Sequence, residues 1–285
     1  MIRQIIKFVK DTVNCFFFLI RILVNGNLKN PLKRNCQGRT IAILANGPSL
    51  KDVLDKLEKD EEFKNIDFIV LNFFAFEDIF FKIKPKHYCF ADPMFFHQNH
   101  KKDIVQKLFD VMENRIDWDI NIYIPSTGFT DFLEYSKLKN SYLHIVKMNV
   151  TEYSGYESFR HIFYKKGLAM PRIGTVANLA IFVALNKGYS YVHLYGVDHT
   201  FFDSLCINKN NILCNKDVHF YDSNDVDLKP ILRNDNDIPW KISEYIEAIS
   251  YMFSSHDLLA AYAQYLNIEI LNYTQCSMID SYNRI

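Results

Sequence analysis

The stretch with the clearest chemical potential is Asn46-Gly47-Pro48-Ser49, which follows the apolar run Thr40–Ala45 (TIAILA). An apolar run that meets glycine and then proline reads as a strand, a turn and a helix start. Glycine lets a ligand approach the backbone, and free N–H groups at a helix start favour an anion. A phosphate site at Asn46, Gly47 and Ser49 is therefore expected, with a tight turn and helix cap as the plain alternative. The stretch has neither the lysine nor the spacing of a Walker A loop, which excludes a P-loop ATPase. No GxGxxG occurs, which argues against ordinary dinucleotide binding.

Other polar residues also follow apolar runs. Asn72 closes DFIVL and can both donate and accept, as recognition of a base, sugar or carboxylate requires. Asp92 precedes Pro93, so it serves either the same crevice or a turn. Asp198, after Gly196-Val197, is expected to stiffen a turn. The nine histidines contain no HExxH, and His97 with His100 lacks a nearby acidic partner for a metal. Asp235 and Asp237 have DxD spacing but sit in an irregular segment, so solvation is the expected state.

The elements that must position these residues alternate between strand and helix. Strands are expected at 40–45, 67–71, 87–90, 120–124, 143–146, 191–194 and 268–271, with helices between them. Val176–Leu185 (VANLAIFVAL) is apolar on nearly every face and reads as a buried helix, while 243–266 reads as a long late helix. The fold class is α/β: a single Rossmann-like domain over 38–285 with a mostly parallel sheet covered by helices. Residues 199–239, rich in Asn and Asp but containing Phe201, Phe202, Phe220 and Tyr221, read as a lid-like insertion.

Composition narrows the function. Hydrophobic residues make up 49% and charged residues 23%, enough for a core and against disorder. Lys+Arg and Asp+Glu are both 33, which removes the general attraction to phosphate backbones that a nucleic-acid binder shows. Six dispersed cysteines without CxxC suit a reduced, cytoplasmic chain.

Residues 1–30 stand apart. The uncharged stretch Thr12–Ile20 covers nine residues, well short of the roughly 20 that a bilayer span needs. No small-residue cleavage site follows it, as a signal peptide requires. Apolar residues recur at helical spacing, and Arg3, Lys7, Lys10 and Arg21 add positive charge. One expectation lays residues 1–24 on the inner face of the cell membrane. The other docks them on the protein's own surface or on a partner chain.

Together these segments resemble the bacterial sialyltransferases of glycosyltransferase family 42, and the related domain of motility accessory factors and archaeal pterin pyrophosphokinases. The resemblance runs over about residues 40–275, through NGPSL (Asn46–Leu50), VLNFF around Asn72, FADPMFF (Phe90–Phe96), the span Arg172–His199 and NIEILNYTQCS (Asn267–Ser277). It implies a Rossmann-type fold with a lid that transfers sialic acid from CMP-sialic acid without a metal. Asn46, Gly47 and Ser49 would then meet the phosphate and ribose, and Asn72 the cytidine monophosphate. Asp92 stands where the family often has asparagine. Gly174-Thr175 would grip the donor's carboxylate. Thr200 and His219 occupy the places of two tyrosines near the leaving phosphate, with Tyr221 beside them. His256 falls in the stretch of the catalytic base, with His219 as its rival.

The resemblance thus implies an inverting glycosyltransferase that uses a CMP-linked sialic acid, a related nonulosonic acid or Kdo, and no separate cofactor. Expected partners are that donor, a surface glycan or glycolipid acceptor, a membrane surface and a second copy of the chain. The alternatives are a pyrophosphokinase or other phosphotransferase on the same fold, or a non-catalytic glycan-assembly factor.

Overall fold

The computed structural model describes residues 2–25, 28, 31–98, 101–217, 227–233 and 238–285. The chain begins with helix α1 (Ile2–Asn25), followed by β1 (Thr40–Leu44), α2 (Lys51–Leu54), β2 (Asp67–Leu71), α3 (Ile79–Ile83) and β3 (His87–Cys89). Next come α4 (Lys102–Arg115), β4 (Ile120–Pro125), α5 (Phe129–Ser136), β5 (Leu143–Met148), α6 (Glu157–Lys165), α7 (Val176–Lys187) and β6 (Tyr191–Tyr195). The remainder holds β7 (Leu205–Ile207), β8 (Leu213–Asp217), β9 (Asp227–Pro230), α8 (Ile242–Tyr265), β10 (Glu269–Asn272) and β11 (Asn283–Arg284).

Eight strands form one sheet in the order β11-β10-β6-β1-β2-β3-β4-β5, and each pairing in it is parallel. The expected α/β class and parallel sheet are therefore present. Parallel strands buried on both faces read as unbroken apolar runs, as TIAIL and DFIVL do. Their side chains alternate between two cores. Ile41, Ile43, Ile69 and Leu71 join one core, while Ala42, Leu44, Phe68 and Val70 join the other. Helix α7 fills the first core with residues buried on every side, including Ile181, Val183 and Leu185, so its lack of a polar face follows from its position.

The chain builds outward from β1 to β5 and then returns to place β6 on the other side of β1. Strand order reverses there, and the crevice beyond the carboxyl ends of β1 and β6 is where such sheets bind ligands. The described part of the segment 199–239 is more regular than its sequence suggests. It contains the antiparallel sheet β7-β8-β9, whose short strands LCI, LCNKD and DLKP carry no clean alternation.

Two further elements differ from expectation. The helix expected to start after Gly47 is a 3-10 turn (Pro48–Leu50) leading into the four-residue α2. Strand β11 was not expected, because Asn283-Arg284 has no apolar pattern. All six cysteines are free.

Candidate functional site

A cavity of about 390 Å³ opens at the strand-order reversal. After β1 it is lined by Asn46, Gly47 and Pro48, after β2 by Asn72, and after β6 by Asp198, His199 and Thr200. The start of α7 adds Thr175, Val176 and Ala177, the small sheet adds Asn215, and the start of α8 adds Tyr245. A larger hollow of about 960 Å³ lies between α4 and α5, but Asp110, Glu113, Asp131 and Glu134 make it a poor place for phosphate.

Of the residues expected from sequence, Asn46, Gly47, Asn72, Thr175 and Thr200 meet at this cavity. Asn72 is held at φ +49, a region that residues other than glycine seldom occupy. Its backbone N–H bonds to Cys89 O, and Tyr88 donates its hydroxyl to Asn72 O. Its side-chain Oδ1 is buried without a hydrogen-bond partner. An orphaned buried acceptor is costly unless a ligand or water donor meets it. Asn46 leans the same way, with Nδ2 bonded to Leu71 O at 3.3 Å.

The loop expected to hold phosphate is built differently. Gly47 N–H bonds to Gly196 O at 2.9 Å, Ser49 N–H to Asp198 Oδ1 at 3.2 Å, and Leu50 N–H to Gly47 O at 3.1 Å. Pro48 has no N–H. The donors of this turn are thus spent on the loop after β6 and on the turn itself. Ser49 Oγ donates to Asp198 Oδ2 at 2.9 Å, so its hydroxyl faces a carboxylate, which would repel phosphate. Ser49 lies outside the cavity lining. A side chain at Gly47 would overlap the Asp198 carboxylate and Gly196 O, so close approach of the two loops accounts for this glycine.

The helix start that does reach the cavity belongs to α7. Asn178 Oδ1 accepts the N–H groups of Gly174 and Thr175 at 3.1 and 3.0 Å, fixing the entry to the helix. Val176 and Ala177 are the first two residues of the helix, and their N–H groups have no intrahelical acceptor, whereas Asn178 N–H bonds to Thr175 O at 3.1 Å. The positive end of the helix therefore faces the cavity, as an anion site requires. Gly174 itself packs against Met252, where a Cβ would clash, and does not line the cavity.

Two other expected residues stand elsewhere. Asp92 starts the 3-10 turn Pro93–Phe95, its carbonyl accepting Phe95 N–H at 3.1 Å, and does not line the cavity. His256 is fully buried on α8, so it does not reach the cavity directly. Its Nδ1 lies 2.9 Å from Tyr282 Oη, and its Nε2 lies 3.2 Å from Nε2 of His199. His219 and Tyr221, like Asp235, Asp237 and His100, lie outside the described residues.

The histidine lining the cavity is His199, which sequence reasoning passed over. It is held at φ +54, a second unusual backbone at the same site. With Nε2 turned to His256, only Nδ1 remains for a ligand. Burial pushes His199 down to about 4. Burial, and then the neighbouring His199, push His256 well below the usual histidine range. Burial holds the Tyr282 phenol well above its usual value. The chain His199–His256–Tyr282 is thus uncharged at neutral pH. Among the described residues, no three His, Cys, Asp or Glu side chains come together as a metal site would need.

No family model and no curated protein matches the sequence. Among solved structures, the chain is similar to the sialyltransferase CstII from Campylobacter jejuni in complex with the substrate analogue CMP-3FNeuAc. Identity is 16% over 87% of this chain and 86% of that chain, with a TM-score of 0.41. A second structure of CstII from Campylobacter jejuni, in complex with cytidine-5'-monophosphate, is 13% identical over 88% of this chain and 86% of that chain, with a TM-score of 0.42.

Proposed function

We propose that this chain is an inverting, metal-independent glycosyltransferase. It would move sialic acid, a related nonulosonic acid or Kdo from a CMP-activated donor to a hydroxyl of a surface glycan. It would work in the cytoplasm, at the inner face of the cell membrane when the acceptor is lipid-linked. The observation that carries the reading is the convergence of Asn72, the α7 N-terminus and His199 on one cavity at the strand-order reversal. The motifs that resemble family 42 point to Asn46, Asn72 and Thr175 in the same cavity, but not to His199.

In this reading Asn46 and Asn72 bind the cytidine monophosphate part. The first-turn N–H groups of α7, with the Thr175 hydroxyl, hold an anionic group of the donor. His199 replaces His256 as the base. In the tautomer that serves transfer, His199 Nε2–H donates to His256 Nε2 and His256 Nδ1–H donates to Tyr282 Oη. A lone pair on His199 Nδ1 then faces the acceptor. The acceptor proton passes to Nδ1, and the acceptor oxygen bonds to the anomeric carbon from the face opposite the phosphate. The bond from that carbon to the phosphate oxygen breaks, and CMP leaves with the electron pair. Thr200, with His219 and Tyr221, meets the leaving phosphate.

The test is release of CMP from CMP-sialic acid and CMP-Kdo, with and without glycan acceptors and with EDTA present. Acceptor-dependent release supports the reading. No turnover, with stabilisation by ATP and magnesium but not by CMP or CTP, would assign the site to a phosphotransferase. CMP binding without turnover on any donor would leave an assembly factor.

A further inference from the structure

We infer that the outward face of α1 is a docking surface for an anionic lipid bilayer. The helix is held to the body by one side only. Phe18 and Ile22 are buried, and Phe18 packs edge-on against Tyr153 and Phe163. Arg21 donates to Ser154 Oγ, and Gly155 leaves room for Cys15 where a side chain would clash. At about 100° per residue, Ile6, Val9, Val13, Phe16, Phe17 and Ile20 point within about 60° of one direction, opposite Phe18 and Ile22. These six side chains are between 39% and 61% exposed. The apolar stripe of this amphipathic helix therefore faces away from the core, the reverse of an ordinary surface helix. A contiguous apolar face of this kind marks an interaction site.

Charge selects the occupant. Arg3, Lys7 and Lys10 are exposed along one flank, between the apolar stripe and the docked side. The only acidic residue of the helix, Asp11, is half-buried on the docked side. An apolar face edged by cations suits an interfacial helix on anionic lipid. A second copy of the chain would bring the same cations to the same face, with no acid to meet them. No helix among the described residues is long and apolar enough to cross a membrane, so the contact lies on the surface. The inference stands apart from the transferase reading, since vesicle binding needs no turnover.

The test is co-sedimentation of the full chain with vesicles of phosphatidylcholine alone or mixed with phosphatidylglycerol, with solution mass measured in parallel. Binding is expected to the mixed vesicles, weakening as salt rises. Lys7→Ala/Lys10→Ala, whose side chains are exposed, should lower that partition by about tenfold or more. Phe16→Glu/Ile20→Glu should abolish it without shifting the thermal midpoint, because Phe18 and Ile22 stay in place. Failure of the full chain to bind mixed vesicles would overturn the inference. So would binding that neither variant weakens. A dimer that Phe16→Glu/Ile20→Glu dissolves, with no vesicle binding by the full chain, would assign the face to self-association.

Discussion

At the scale of single residues, the site turns on which groups face the cavity and which brace it. His199 faces it and His256 stands behind. His199→Ala should lower turnover by roughly 10²–10⁴-fold while donor binding is retained. Because burial pushes His199 down to about 4, the acid limb of kcat/KM should lie near that value. A base must be deprotonated to act, so the rate holds from neutral pH downward and falls only as His199 gains its proton. An acid limb near the ordinary histidine value, with His199→Ala still active, would pass the role to His219. Ser49 belongs to the bracing set, tying the loop after β1 to Asp198. Ser49→Ala should cost about 1–2 kcal/mol of stability in denaturant unfolding, and leave CMP affinity within a few-fold of the original. The sequence shows Ser49 two residues after a glycine at a helix start, a pattern that suggests a phosphate role. Its true partner lies 149 positions away, a distance at which local pattern carries no information. His199 was missed for a related reason: only the left-handed turn after Asp198 aims it at the cavity.

At the scale of elements, seven of the eight strands of the parallel sheet, all but β11, and the buried helix α7 are legible because burial on both faces demands continuous apolar runs. Strands β7, β8 and β9 are not, since LCNKD and DLKP are held by their ladder and turns, not by an apolar face. One buried polar network steadies the amino ends of the strands, opposite the cavity. His87 lies between the hydroxyls of Tyr189 and Tyr123, each at 3.0 Å, and Tyr189 donates to Asp67 at 2.7 Å. Burial opposes ionisation of Asp67, but hydrogen bonds from Lys86 and Tyr189 and the charges of Lys86 and Arg39 hold its carboxyl below the usual range. Tyr189→Phe removes a hydroxyl shared by two buried groups and should cost about 1–3 kcal/mol. The cavity lies at the other sheet end, so donor affinity should be unchanged. A stability loss accompanied by lost CMP binding would show that the two ends are coupled.

At the scale of the molecule, the sheet connectivity decides where chemistry can occur, and the buried histidines decide how the fold responds to acid. His87 is pushed to about 3 and His199 to about 4, and His256 is also lowered, chiefly by burial in each case. Unfolded histidines bind protons below about 6.5, so the unfolded state takes up more protons in the window below that value. Stability should therefore fall as pH drops from about 6.5 toward the folded values, and urea midpoints measured across that window should decrease together. A flat profile would mean that these rings are hydrated or charged in the folded state. The central claim, a CMP-donor cavity at the strand-order reversal, is tested most directly by calorimetric titration of CMP into the wild-type chain and Asn72→Ala, both in EDTA. The wild type should bind CMP saturably and Asn72→Ala at least about tenfold more weakly, from loss of one buried hydrogen bond. Absence of CMP binding by the wild type, or equal affinity in both proteins, would contradict the claim.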